Sequence, residues 1–391
     1  MTVARGETIE RPEARGEERR AAGVACGAHA LHDGHTDLIV VMLPIWQAEF
    51  GLGYGELGLM RGLFAGTMAA FQIPAGLLTE RLGTPVVLAG GTALAGLGYC
   101  LAGASAGFAL LLVALVIGGL GASTQHPLAS ALMARAFAGA RSMKALGTYN
   151  FAGDIGKMTV PAVASVMLVA MPWRPVLALI GACGLVAAAV IYLLTPRYGA
   201  ERKAEASDVA ADVATSAGRY RFAYPVLVSI GVLDSATRMG FLLFLPFVLT
   251  EKGASLPTIG LALTLVFAGG AAGKLVCAFI GARIGAIATV WLTEGLTAAV
   301  IVALLPLIGI ALNGTSSVLY GSVPDLVTRE WRARAFSIFY TGTIGSGALA
   351  PVLYGVVGDL VGVPSALLVV AGVVTLTLPL SLALRPALAR R

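Results

Sequence analysis

Residues 29–37 read HALHDGHTD, which places His29, His32, Asp33, His35 and Asp37 in one short stretch. Imidazoles and carboxylates at this density can exchange protons near neutral pH or ligate a metal ion. On an α-helix, His29, His32, Asp33, Thr36 and Asp37 fall within an arc of about 140°, and His35 points elsewhere. His29 and Asp33 stand at i, i+4, but one face of one helix supplies too few ligands. Neither a metal nor a cofactor is therefore expected. An apolar run, LIVVMLPIW, follows immediately. The same juxtaposition recurs, because Arg61, His126, Asp154, Lys157, Asp234, Arg238 and Lys274 also interrupt apolar stretches. Asp154 with Lys157, and Asp234 with Arg238, have the spacing to neutralise each other along one helix. Arg61 and Lys274 have no oppositely charged neighbour of that kind, which marks them for an anion or for pairing across helices. His126 precedes Pro127, whose missing donor frees the carbonyl of Ser123. A histidine there can line a cavity and carry a proton.

The elements that position these groups follow from composition. The chain has 391 residues, 57% hydrophobic and 12% charged, against roughly 25% charged in soluble domains. Water cannot solvate so much apolar surface, whereas a bilayer takes spans of about 20 apolar residues each. Apolar segments over 23–47, 56–79, 85–104, 108–134, 145–170, 175–195, 222–249, 257–280, 286–305, 307–327, 334–357 and 363–384 predict an all-α membrane protein with twelve transmembrane helices. Their length and continuity exclude the alternating pattern of an outer-membrane barrel. Residues 1–21 mix Glu and Arg without the apolar run of a signal peptide and read as a disordered cytoplasmic tail. The polar stretch 197–221 reads as a cytoplasmic linker between six-helix domains at 22–196 and 222–391. With both termini inside, 21 of the 27 Lys and Arg fall on inside segments and only Arg174 and Lys252 outside. Both termini are therefore expected in the cytoplasm. The net charge of +6 belongs to these loops and does not imply nucleic acid. Cys26, Cys100, Cys183 and Cys277 read as small apolar residues, not as disulfides or ligands.

The halves match internally. An offset of 202 sets Pro44 on Pro246, Gly51 on Gly253, Arg81 on Arg283 and Gly83 on Gly285. An offset of 190 sets Ala145 on Ala335 and Pro161 on Pro351. Parallel six-helix repeats around a midplane cavity suit one large transporter class. GLLTERLG, Gly76 to Gly83, resembles the G-x-L-a-D-r-x-G loop of the major facilitator superfamily, with Glu80 in place of Asp; AFIGARIG at 278–285 is a degenerate copy. The resemblance implies that Gly76, Glu80, Arg81 and Gly83, with Arg283, form a cytoplasmic gate stabilising the outward-facing state. It also implies that the third, sixth, ninth and twelfth spans are peripheral, so that the ionisable spans line the cavity. HDG in the first span and GASTQHP, Gly121 to Pro127, are similar to the fosmidomycin-resistance branch, which comprises bacterial efflux proteins. The fourth span lacks an arginine ahead of its glycines. GDIGKMTVP replaces the G-P-x-x-G-G run of many antiporters.

The function expected is proton-coupled export of a small organic compound by a monomeric secondary transporter of the bacterial inner membrane, not an enzyme. Buried cations favour an anionic substrate bound by Arg61, Lys274, Arg238, Lys157, His126 and Asp37. Asp33, His32, Asp154 and Asp234 are the proton-coupling candidates. The alternatives are uptake or exchange of an organic anion, such as a carboxylate or phosphonate, and a non-transporting sensor, for which no output domain is evident.

Overall fold

The computed structural model describes residues 12–137, 140–197, 222–284, 288–289, 291–293, 319, 322–323, 326 and 332–388, with the backbone alone over 12–15, 134, 140–144, 146, 274–282, 284, 332–334, 336–337, 340 and 385–388. These residues form α1 Pro12–Phe50, α2 Tyr54–Leu82, α3 Thr84–Gly103, α4 Phe108–Ala122, α5 Gln125–Ala136, α6 Ala140–Ala170 and α7 Trp173–Leu194. After the interval come α8 Ala223–Glu251, α9 Leu256–Ile284, α10 Arg332–Val361, α11 Val363–Thr375 and α12 Thr377–Leu388. Tight turns make sequential helices antiparallel. Among the described residues, nine helices or helix pairs are long and apolar enough to cross a membrane. The expected spans 286–305 and 307–327 lie mostly outside the described residues, as does the segment 198–221.

One expectation is corrected. The helical backbone of α1 begins at Pro12, well inside the segment expected to be disordered. The Glu, Ala and Arg residues there are good helix formers and extend a helix already nucleated and packed. The fourth and last spans stand as expected, over Phe108–Met133 and Val363–Leu384, each with a break in its helix. Pro127 and Pro379 remove donors next to Ser123 and Leu376, where the breaks fall. Threonine hydroxyls bind the freed turns, Thr124 to the Gly121 carbonyl at 3.1 Å and Thr377 to that of Val374 at 2.6 Å.

The repeat is visible in the backbone. Gly51 and Gly253 both take positive φ, 65° and 82°, which a glycine adopts without a Cβ penalty. Leu52 N–H donates to the Gln47 carbonyl, and Ala254 N–H to that of Leu249. These are matching bonds at offset 202, and each closes a helix in the same way.

α1 is the central post. Leu38 to Leu43 and Trp46 are fully buried, and α1 packs chiefly on α6 and α5. Its polar stretch keeps it off the set of apolar spans, yet bundle neighbours rather than lipid surround it. α3 packs on α7 and α4, α2 on α10, and α6 on α9. At the end of the bundle where α1 stops, Trp173 Nε1 donates to Glu49 at 2.8 Å and Arg174 pairs with Glu49 at 2.7 Å. These solvent-side bonds hold the Glu49 carboxyl below its ordinary range, Trp173 contributing most.

Candidate functional site

Glycines determine where the polar face of α1 sits. A Cβ on Gly156 of α6 would strike the Ala30 carbonyl, and one on Gly153 would meet His29 and the Asp33 carboxylate. α1 and α6 can therefore approach closely at this level, which brings Lys157 onto Asp33, with Nζ 3.1 Å from Oδ2. Asp154, the same-helix partner that spacing offers Lys157, stands farther away, at 4.0 Å. The interhelical pair wins because packing brings the Asp33 carboxylate closer.

Asp33 is the hub of a cluster drawn from three helices. His29 Nε2 lies 3.3 Å from Asp33 Oδ2, and His32 Nε2 lies 3.8 Å from Oδ1. His29 Nδ1 donates to the Tyr149 carbonyl at 2.8 Å, and its ring stacks on Tyr149 at 4.0 Å between centroids. His126 of α5 stands edge-on to both His29 and His32, with centroids 5.2 and 4.8 Å away. His29, Asp33 and His126 thus offer ligand atoms within 4.8 Å of one another. This corrects the premise that one helix alone would have to supply any metal ligands. His35 turns away as its helical phase requires. It packs against Tyr99, whose hydroxyl donates to the His35 carbonyl.

One turn further along, Arg61 of α2 pairs with Asp37, Nη2 to Oδ1 at 3.1 Å, and both side chains are buried. The same guanidinium reaches the Thr36 carbonyl at 3.4 Å and the Met239 sulfur of α8 at 3.5 Å. Of the two readings of Arg61, an anion or a partner across helices, the structure supplies the second, with Asp37 as that partner. A buried guanidinium is too costly to leave unpaired. Its Nε has no hydrogen-bond partner among the described residues. Asp234 is buried and Arg238 half-buried on the adjoining α8, and the charges of Arg238 and Asp37 both act on Lys157. The Lys274 side chain lies outside the described residues.

The expected gate residues occupy the other end. Gly76, Glu80 and Gly83 line a cavity of about 620 Å³ together with Pro127, Arg135 and Arg197. Among the described residues, neither Glu80 nor Arg81 has a salt-bridge partner, and Arg283 is exposed.

Sequence reasoning missed Asp359. At the close of α10 its carboxylate accepts N–H bonds from Tyr54 at 2.6 Å and Gly55 at 2.8 Å, capping α2 from the opposite half of the chain. Gly53 N–H is taken by Glu56, within α2, at 2.9 Å. α2 and α10 stay in contact along Gly58, which faces Pro351, and Gly62, which faces Ala348. The only sequence signal was an acid at a span end beside glycine.

A bundle of lipid-length apolar helices with its ionisable groups gathered on an internal face is a multi-pass membrane carrier. The comparisons identify which kind. Residues 25–307 match the model of the Major Facilitator Superfamily, and the chain belongs to that family of transporters. A stretch of 141 residues is 28% identical to the fosmidomycin resistance protein of Escherichia coli (strain K12). It spans 36% of this chain and 34% of that relative, so the match covers about a third of its length. Among solved structures, nucleoside transporter NupG superimposes with a TM-score of 0.75 at 13% identity, covering 94% of this chain and 99% of that one. A bacterial homologue of the human lysosomal transporter Spinster, inward-facing and occupied, superimposes at 0.71 with 15% identity, covering 95% and 96%. These two likenesses establish the fold. The chain is a transporter and not an enzyme.

Proposed function

We propose that this protein is a proton-coupled exporter of a small organic anion in the bacterial inner membrane, acting as a monomer with both termini in the cytoplasm. The observation that carries the reading is the buried ionic face of α1. There Lys157 and Arg61, from two further helices, hold Asp33 and Asp37 beside Met239 of α8. An entering anion competes for Lys157 or Arg61 and frees a carboxylate to take a proton, so substrate binding and protonation are linked without separate machinery. His32, His126, Asp154, Asp234, Arg238 and Lys274 complete the proposed lining.

The chain divides into six-helix domains at 22–196 and 222–391, joined through 197–221. Rocking of these domains is supported by a seam at one end, where α2 and α10 meet. With the termini inside, the α2–α10 seam and its Asp359 cap lie at the outer face. The loop of Glu80 and Arg81 and its cavity lie at the inner face. The seam supports a carrier closed at the outside, as in an inward-facing state such as that named for the Spinster homologue. Export is favoured over uptake by the partial likeness to a resistance protein, which makes fosmidomycin the first compound to test.

The deciding experiment is fosmidomycin flux in proteoliposomes with and without a pH gradient. Wild type should concentrate the compound only with the gradient. Asp33→Asn should abolish accumulation yet retain counterflow. Gradient-independent flux in wild type, or wild-type accumulation by Asp33→Asn, refutes the coupling.

A further inference from the structure

The geometry points to a divalent transition-metal site made by His29, Asp33 and His126, with His32 as fourth donor. The inference stands whatever compound the protein carries. A carbonyl oxygen can only accept, so the Nδ1 of His29 facing Tyr149 bears the proton. The neutral ring then presents a bare Nε2 lone pair to the Asp33 carboxylate at 3.3 Å. Two acceptors facing each other at that range hold either a proton or a metal ion between them. Two ligands of one tetrahedral zinc, each about 2.0–2.1 Å from the metal, are themselves about 3.3 Å apart. The Tyr149 carbonyl is also the outer partner that metal-bound histidines regularly hold, fixing tautomer and ring orientation.

A second observation points to the same place. His32 is only 8% exposed, and its Nε2 has no hydrogen-bond partner among the described residues, although it faces Asp33 at 3.8 Å. His126 closes the set from another helix, its ligand atom within 4.8 Å of those of His29 and Asp33. Three imidazoles and one carboxylate suit a borderline-soft ion such as Zn²⁺ far better than Mg²⁺ or Ca²⁺.

Lys157 is the competitor. Its ammonium sits 3.1 Å from the oxygen the metal would take and has Asp154 within 4.0 Å as an alternative partner. Metal binding and the Asp33–Lys157 pair exclude each other. A filled site ties α1 to α5 and releases α6 from Asp33, so the metal would act on the conformational cycle.

The test uses tag-free, chelator-stripped protein titrated with Co²⁺, followed by its visible ligand-field bands, and with Zn²⁺ by calorimetry. Elution volume and melting confirm that each variant is folded. Wild type should bind one ion with a tetrahedral spectrum. His29→Gln and His126→Gln should each weaken binding by at least the ~10–100-fold that loss of an outer partner alone produces. Lys157→Met should tighten it, which neither an adventitious surface site nor general loosening of the bundle would do. His126→Gln and Lys157→Met decide the matter should His29→Gln fail to fold. Absence of one-to-one binding, indifference to the histidine substitutions, or weaker binding by Lys157→Met overturns the site.

Discussion

Removing the Asp359 carboxylate should open the outer face. Asp359 caps two amides of α2 from α10, at 2.6 and 2.8 Å, so its bonds exist only while the two helices are joined at that end. Bonds to charged groups contribute about 1.5–3 kcal/mol each. This pair is exposed, however, and replacing a capping carboxylate by alanine typically loses about 0.5–2 kcal/mol. The lower range governs because water can replace the lost acceptor. A shift of 1–2 kcal/mol changes the ratio of closed to open outer face about 5–30-fold. Asp359→Asn retains one acceptor without the charge and should fall between wild type and Asp359→Ala. Spin labels at Ala104 and Lys252, both exposed at this end and on opposite halves, would report the distance distribution in nanodiscs after replacement of the native cysteines. The longer-distance population should grow in the order wild type, Asn, Ala. An identical distribution in wild type and Asp359→Ala would refute the latch, leaving the α2–α10 seam held by its apolar contacts alone.

Further perturbations test other parts of the structure. Arg61→Ala strands Asp37 as a buried charge and should lose about 3–5 kcal/mol of stability in detergent unfolding, whereas Arg61→Met with Asp37→Leu should recover most of it. Stability unaffected by Arg61→Ala would mean that Asp37 is hydrated. Gly58→Val drives a side chain into the Pro351 carbonyl and should populate the outer-open state more than Gly66→Ala, whose added carbon meets only a methyl at 3.6 Å; the same spin-label pair reads this. Arg81→Ala, at a loop without an ion pair among the described residues, should leave folding intact and shift cysteine labelling toward the inward-facing form, and an unchanged labelling ratio argues for simple anchoring. Glu49 titrates below its ordinary range, so its stabilising contribution is complete above the unfolded pKa and is lost as pH falls through the lowered folded value. Tryptophan fluorescence should therefore change on acidification in wild type and not in Glu49→Gln.

Composition and apolar run length were enough to specify a multi-helix membrane protein, because a bilayer fixes both how long a span must be and how few charges it can carry. The repeat was equally legible. Gly51 and Gly253 matched in sequence, and their backbones match because each closes a helix with a left-handed residue. Helical phase correctly separated His35 from the rest of its cluster, since the phase of one helix is a local property. Which carboxylate each cation meets across helices was not legible. Spacing offered Lys157 its neighbour Asp154, and marked Arg61 for an anion or for an unnamed partner across helices. The structure gives Lys157 to Asp33 and Arg61 to Asp37, because which carboxylate a long cation reaches depends on how closely glycines such as Gly156 let two helices approach. His126 joined the cluster for the same reason, a helix break at Ser123 having re-aimed α5. Asp359 was out of reach altogether. Its partners are backbone amides 304 and 305 residues away, and a backbone amide leaves no trace of residue type in a sequence.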